Sequence, residues 1–372
     1  MLTTEKILER PVSLEETSIG FPGILDRLKR STFFIKITNW EYWPMYVANF
    51  PVVLIWLWFA LRARRLFFFS AVNPAIETGG MLGESKFNIL KRIPASHVPP
   101  TIFVKQGTGF QEIKEKMEGL GLAWPVIAKP NVGERGFLVS KIKSETELRA
   151  YLEKNPVDFL IQKFIDLPLE LAVMHHRFPG RATGEVTSIC IKETLKVTGD
   201  GRSTVERLMG NSPRASLQLP RFKAETPDVL KNVPPEGEQI ELEPIGNHCR
   251  GTMFLNGNHH IDEALTAAFD RVASQMEGIH YGRFDLKCRS IEDLRSSGEF
   301  MVMEYNGIGA EPAHIYDPAY PVWKKYRDVY RHWKVIYQIF KVQSAGGARS
   351  MTWSEAISSL RKYSAYKKSL TA

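Results

Sequence analysis

The sequence predicts a mixed α and β fold arranged around a charged cleft, and three observations point to it. A chain of 372 residues that is 44% hydrophobic and 11% aromatic can bury a large core and suits two or three domains. Past residue 66, short apolar runs punctuated by Gly and Pro alternate with segments of helical spacing. Finally, Gly282-Arg283-Phe284-Asp285-Leu286 and, one loop later, Met301-Val302-Met303-Glu304-Tyr305-Asn306-Gly307 read as two adjoining strands. Alternation puts Glu304 and Asn306 on one strand face. With Asp285 they make a hard-oxygen set of the kind that holds Mg²⁺ through nucleotide phosphates, so Asp285, Glu304 and Asn306 are the candidate metal ligands.

The net charge of +8 suits an anionic ligand or a membrane surface. The basic residues are dispersed and no long Lys/Arg run accompanies an aromatic platform, which argues against nucleic acid as a partner. Cys190, Cys249 and Cys288 lie far apart without CxxC spacing, so neither a disulfide framework nor a zinc site is expected, and a reducing cytoplasm fits.

Residues 42–61 carry no formal charge, are dense in Trp and aliphatic side chains, and end at Arg62, Arg64 and Arg65. Pro44, Asn49 and Pro51 shorten the clean apolar run below the roughly 20 residues of a spanning helix. Three readings stay open: a core helix capped by solvated arginines, a peripheral or re-entrant membrane contact through residues 42–65, and a true span. A signal peptide is disfavoured because acidic and polar residues fill the first 40 positions.

The remaining elements follow in order. Residues 66–71 read as a short aromatic strand running into Asn73-Pro74 and Gly79-Gly80. Ser85 caps a helix that Pro94 ends. Residues 101–105 form a strand, 110–118 a helix and 124–129 a strand closed by Pro130. The turn Asn131-Val132-Gly133-Glu134-Arg135-Gly136 leads into a strand over 137–142, and Ser144-x-x-Glu147 is a capping box for a helix over 145–153. A strand spans 159–164, a helix 262–276, and the tail is helical over 320–342 and again, in a short helix over 356–362, after the capping box Thr352-x-x-Glu355. The expected units are an N-terminal region (1–65), a lead-in (66–100), a main domain (101–317) and a helical tail (318–372).

Ile127-Ala128-Lys129-Pro130, the glycine turn, Leu160-Ile161-Gln162-Lys163-Phe164-Ile165 with Glu170, and the closing Arg283-x-Asp285 and Glu304-x-Asn306 together resemble an ATP-grasp enzyme. The segment Val197-Thr198-Gly199-Asp200-Gly201-Arg202-Ser203-Thr204-Val205-Glu206-Arg207-Leu208 is similar to one in the cyanophycin-synthetase branch, and the lead-in from Lys86 to Pro99-Pro100-Thr101 to the D-alanine:D-alanine ligases. The resemblance covers residues 84–312. It implies an α+β ATP-grasp fold whose two subdomains close on ATP and Mg²⁺, with Mn²⁺ a substitute, and a ligase joining a small-molecule carboxylate to an amine, with lipid-linked substrates allowed by the Trp-rich segment. A kinase-like phosphotransferase and a membrane-associated nucleotide-binding regulator are the alternatives.

Residue by residue, a lysine at a strand end before a glycine turn neutralises phosphates while backbone N–H groups fold over them, which makes Lys129, Gly133 and Gly136 candidates. A surface lysine before a turn is the bland alternative for Lys129. Lys86 is the second phosphate lysine by its place in the family pattern, with Lys91 competing for the role. Gln162, Lys163, Phe164 and Ile165 would form the adenine hinge; the family usually has a glutamate where Gln162 stands. Glu170 matches the ribose acceptor, the alternative being a solvated carboxylate. Arg283 shares a strand face with Asp285 and could hold phosphate oxygens, order the core by pairing with Asp285, or both. Asn247 and Arg250 are further nucleotide candidates, whereas a nucleophile made of His248 and Cys249 is disfavoured because adjacent residues point to opposite faces. Arg177 could meet the acyl substrate's carboxylate or make a structural ion pair. Glu311 and His314 stand where dipeptide ligases have a glycine-rich loop and are candidates for the acceptor side.

Overall fold

The computed structural model describes residues 45–133, 136–243, 246 and 250–370. Residues 1–44 of the N-terminal region, Glu134 and Arg135 of the glycine turn, and Asn247, His248 and Cys249 lie outside them.

Two antiparallel sheets set the architecture. The first contains β1 (Thr101–Val104), β2 (Val126–Pro130), β3 (Ser140–Ile142) and β4 (Phe159–Lys163) in the order β1-β4-β2-β3. Its inner side packs on α3 (Phe110–Gly119) and α4 (Glu145–Lys154) through Ile113, Met117, Leu148 and Tyr151. The second contains β5 (Leu169–His176), β6 (Glu185–Glu193), β9 (Met253–Asn256), β10 (Tyr281–Cys288) and β11 (Met301–Asn306), in the order β11-β10-β5-β6-β9. Beneath it lie α9 (Glu263–Ala273) and α10 (Ile291–Ser296), whose Leu265, Phe269, Val272 and Leu294 recur at helical spacing and are buried against Leu171, Phe284 and Val302. A two-stranded antiparallel sheet of β7 (Leu195–Thr198) and β8 (Gln239–Glu243) forms its own small core with the helices between them, α5 (Val205–Asn211), α6 (Pro213–Ser216), α7 (Leu219–Glu225) and α8 (Pro227–Lys231).

The caps anticipated from sequence form. Ser85 caps α2 (Lys86–Leu90) by accepting from the Asn88 N–H at 3.2 Å. The Thr352/Glu355 box is complete and opens α12 (Trp353–Ser369), which runs well past the short helix expected. At Ser144 the box is altered: Glu147 accepts from the N–H of Lys143 at 2.7 Å.

Three expectations are corrected. Residues 66–71 are not a strand but a 3₁₀ turn, Phe68–Ala71, because Phe68 and Phe69 are swallowed by a core with Trp333 and Phe340 that leaves no partner strand. The strand expected over 137–142 is confined to Ser140–Ile142, since Leu138 takes a left-handed backbone (φ 53°) in the turn before it. The apolar run is not cut by Pro51: α1 (Met45–Ala63) passes through it and packs on α11 (Val322–Ala345) by Phe59 and Ala60. No helix among the described residues is long and apolar enough to cross a membrane.

The loop before α2 is fastened to the second sheet. Asn73, fully buried, accepts from the N–H groups of His280 and Tyr281 and donates to the carbonyls of Gly79 and Tyr281. Gly80, at φ 82°, sits so close to Gly307 that an added Cβ would lie 2.7 Å from the Gly307 Cα. The lead-in is thereby locked against the end of β11, beside Asn306.

Candidate active site

Register on the second sheet assembles the acidic corner. In the antiparallel pair β10/β11, Asp285 is opposite Glu304 and Arg283 opposite Asn306, with a bulge immediately after Asp285. Two carboxylates facing each other across strands repel, and the site compensates with cations. Lys86 Nζ lies 2.6 Å from Glu304 Oε1, Lys192 Nζ 3.1 Å from Asp285 Oδ1, and Arg283 Nη2 3.0 Å from Asp285 Oδ2. Asn306 donates to Asp285 at 2.7 Å. Burial alone would raise both carboxyls; instead Arg283 and Lys192 hold Asp285 below its ordinary range, and Lys86 does so for Glu304.

The opposing wall comes from the first sheet and from α2. Asn131, at the end of β2, accepts from the Phe87 N–H and the Ser85 hydroxyl, which seats the start of α2 against the glycine turn. Lys86 then reaches both Glu304 and the Gly133 carbonyl, the latter at 2.8 Å. Its competitor Lys91 instead lies over the Phe87 ring. On β2, Lys129 donates to Gln162 Oε1 at 2.9 Å and to the Met303 carbonyl at 2.7 Å. Both partners are neutral. Desolvation therefore prevails over the more distant Glu304, and the Lys129 ammonium is lowered to about 8. Gln162 thus serves as the rest for this lysine, with its own amide donating to Thr101.

Between the walls is a cavity lined by Lys86, Lys129, Gly133, Gly136, Gln162, Lys163, Phe164, Ile165, Glu170, Asp285 and Glu304, all anticipated from sequence, together with Lys192, Lys287 and Gly246. Phe164 is flanked by the ammonium groups of Lys141 and Lys287, at 3.6 and 5.6 Å from its ring centre. Glu170 pairs with Lys192 at 3.0 Å, a contact fixed by their opposition in the β5/β6 register. Gly246 passes so near that an added Cβ would meet Glu170 Oε1 at 2.1 Å.

Lys192 was not among the sequence candidates. It stands between Ile191 and Glu193 on β6 with no motif around it, and only the fold shows that it bridges Glu170 and Asp285. Although burial opposes its charge, Asp285 and Glu170 keep it protonated, above its ordinary value.

Four candidates sit elsewhere. Arg177 donates to the Ala273 and Ser274 carbonyls at the end of α9, a helix-end contact rather than a cleft residue. Arg250 pairs with buried Glu243, which Arg221 also engages. His314 is buried between Ser188 and Asp328, at 2.6 and 3.3 Å. Glu311 accepts from the Tyr316 hydroxyl, while its carbonyl accepts from Arg283 Nη1 at 3.1 Å, so only its backbone touches a cleft residue. Asn247 falls outside the described residues. Cys190 and Cys288 are buried and free, the Cys190 thiol pushed up to about 12 by burial.

The donor set fits a divalent cation that shares its shell with phosphate. Among the described residues no group of three or more His, Cys, Asp or Glu suited to a metal occurs. Asp285 and Glu304 supply carboxylate oxygens from facing strands, and the rest of a shell would have to come from a ligand, as Mg²⁺ sites on nucleotides commonly arrange.

Two antiparallel sheets with their helices enclose a lysine- and carboxylate-lined cavity, the arrangement expected from the resemblance of the motifs to ATP-grasp enzymes. No family model and no curated protein matches the sequence. Among solved structures, the chain is similar to the VanG D-Ala:D-Ser ligase from Enterococcus faecalis, at 14% identity and a TM-score of 0.40, covering 70% of this chain and 62% of that one. It is also similar to a bifunctional glutathione synthetase from Pasteurella multocida (13%, TM-score 0.37, 68% and 36%) and to D-alanine–D-alanine ligase from Bacillus anthracis (14%, TM-score 0.37, 71% and 67%). The match spans less than two thirds of the first two structures. At these identities the likeness says nothing of reaction or substrate.

Proposed function

We propose that the chain is an ATP- and Mg²⁺-dependent ligase that joins a carboxylate to an amine through an acyl phosphate. The observation that carries this is the meeting of Asp285 and Glu304 with Lys86, Lys129 and Lys192 around one cavity, with Arg283 paired to Asp285 beside it. Without ligand the acids and bases neutralise one another. A nucleotide with its cation would exchange partners: lysines turn to phosphate oxygens, and the carboxylates turn to the cation. Mg²⁺, when bound, offsets phosphate charge.

The chain's own groups do the rest by position and charge. Lys163, Phe164 and Ile165 offer backbone and ring surface to a base, and Glu170 accepts from a ribose hydroxyl. Lys86, Lys129 and Lys192 gather phosphate oxygens. Arg283, anchored on Asp285 and on the Glu311 carbonyl, holds a charged guanidinium where the transferring group and the acyl carbon would lie. The substrate carboxylate takes the γ-phosphoryl group as its bond to ADP breaks; the amine nitrogen then displaces phosphate from the acyl carbon and releases a proton to solvent. No protein nucleophile is needed. Glu311 remains the acceptor-side candidate, while Arg177, Arg250 and His314 have no part in this scheme. The buried thiols suit a reducing compartment, and we place the reaction in the cytoplasm.

The test incubates the protein with Mg-ATP and pooled amino acids, peptides, fatty acids and amino lipids. ADP release that needs both a carboxylic acid and an amine, with a new amide mass, supports ligation. ADP release with an alcohol or with a carboxylate alone would point to a phosphotransferase.

A further inference from the structure

Helix α1 is apolar on both faces, and among the described residues only one of them is packed. Ile55, Trp56, Phe59 and Ala60 pack inward. Outward, Val47, Phe50, Leu54, Leu57, Trp58 and Leu61 recur at intervals of three and four, and they are open to water: Phe50 is 62%, Leu54 53%, Trp58 51% and Leu61 73% exposed. A continuous row of large apolar side chains on a surface helix marks a contact face.

Helix α11 runs beside α1 in the same direction. The Tyr326 hydroxyl donates to the Ala48 carbonyl at 3.2 Å, Phe59 meets Tyr330 at 5.4 Å between ring centres, and the Arg62 guanidinium lies 5.6 Å from the Tyr337 ring centre. Its outward side presents Arg327, Arg331, Lys334 and Lys341, with Trp323 and Tyr330 among them. Arg62, Arg64 and Arg65 close the end of α1. Acidic residues are missing from α1, and the single one in α11, Asp328, is buried beneath Arg327 and Arg331. The apolar row is thus bordered by cations that no acid on either helix offsets beyond that one pair.

We infer that α1 and the outer side of α11 form a docking face for an anionic lipid surface, with α1 lying in the interface plane. Charge complementarity selects this occupant: an apolar strip edged by arginine, lysine and exposed tryptophan matches acyl chains below and anionic headgroups around them. The 19-residue helix lies flat because its other face is committed to the protein core and it cannot span.

The test floats full-length protein with vesicles of phosphatidylcholine alone and of phosphatidylcholine containing phosphatidylglycerol. The protein rises with the anionic vesicles and far less with the neutral ones. Lys334→Gln with Lys341→Gln lowers binding about 30-fold, from two lost surface cations, and Leu54→Glu with Leu61→Glu abolishes it, both with unchanged melting temperature. Protein that stays at the bottom with both vesicles, or rises equally with both, overturns the inference. So does a dimer that the Leu54→Glu/Leu61→Glu pair dissociates, because a second copy would then own the face.

Discussion

Lys129→Met separates stability from binding in a way that a surface lysine would not. The ammonium is buried against two neutral acceptors and its pKa falls from 10.5 to about 8, so keeping it charged in the folded protein costs about 3 kcal/mol. Methionine has similar volume and removes that cost, but it leaves Gln162 Oε1 and the Met303 carbonyl without their donor, at about 1 kcal/mol each. The variant should therefore be about 1 kcal/mol more stable than the parent, a rise of about 2 °C in melting temperature for a chain of this size. Mg-ATP binding should weaken about 30-fold, the value of a charge-assisted contact to phosphate. The same lysine fixes a pH signature. Between about 8 and 10.5 the unfolded chain carries a proton at Lys129 that the folded one lacks, so the parent's stability should rise with pH across that window, and the variant's should rise less. Nucleotide affinity should fall as pH passes 8. Thermal melts with and without Mg-ATP from pH 7 to 10 read all of this; a variant that loses more than about 1 kcal/mol yet keeps its nucleotide-induced shift would refute the reasoning.

Gly246→Ala should lower nucleotide affinity about tenfold with little effect on folding, because its Cβ displaces the Glu170 carboxylate from Lys192; equilibrium titration with Mg-ATP checks it. Asn73→Ala should cost about 3 kcal/mol, since it orphans the His280 and Tyr281 N–H groups and the Tyr281 carbonyl, while the Gly79 carbonyl keeps the Ile308 N–H; urea denaturation measures this. Thr352→Ala should cost about 1 kcal/mol from loss of a complete capping box, read from the same denaturation curves.

Legibility from sequence followed the range of the interactions. Strands over Thr101–Val104, Phe159–Lys163 and Met301–Asn306 and the caps at Ser85 and Thr352 rest on local signals, and they form close to where the pattern put them. The acidic corner was readable because side-chain alternation within a strand is local. What was not readable depends on register and on distant partners. Lys192 is one such residue, since only the alignment of β5 with β6 sets it against Glu170. The aromatic run at Phe68 and Phe69 is another, because a distant helix rather than a neighbouring strand buries it. Arg177 and His314 carried functional residue types, but tertiary contacts commit them to the end of α9 and to Ser188 and Asp328. For Arg283 the ion-pair reading holds, since it pairs with Asp285, and its contact with phosphate belongs to the proposed function.

The central claim is that Asp285 and Glu304 grip a divalent cation together with a nucleotide. Its most direct test is the equilibrium binding of ATP to the parent and to the Asp285→Asn/Glu304→Gln double variant, with magnesium varied. The account predicts binding that tightens steeply with magnesium in the parent and loses that dependence in the double variant. Equal affinity with and without magnesium, or an unchanged magnesium dependence in the double variant, would contradict it.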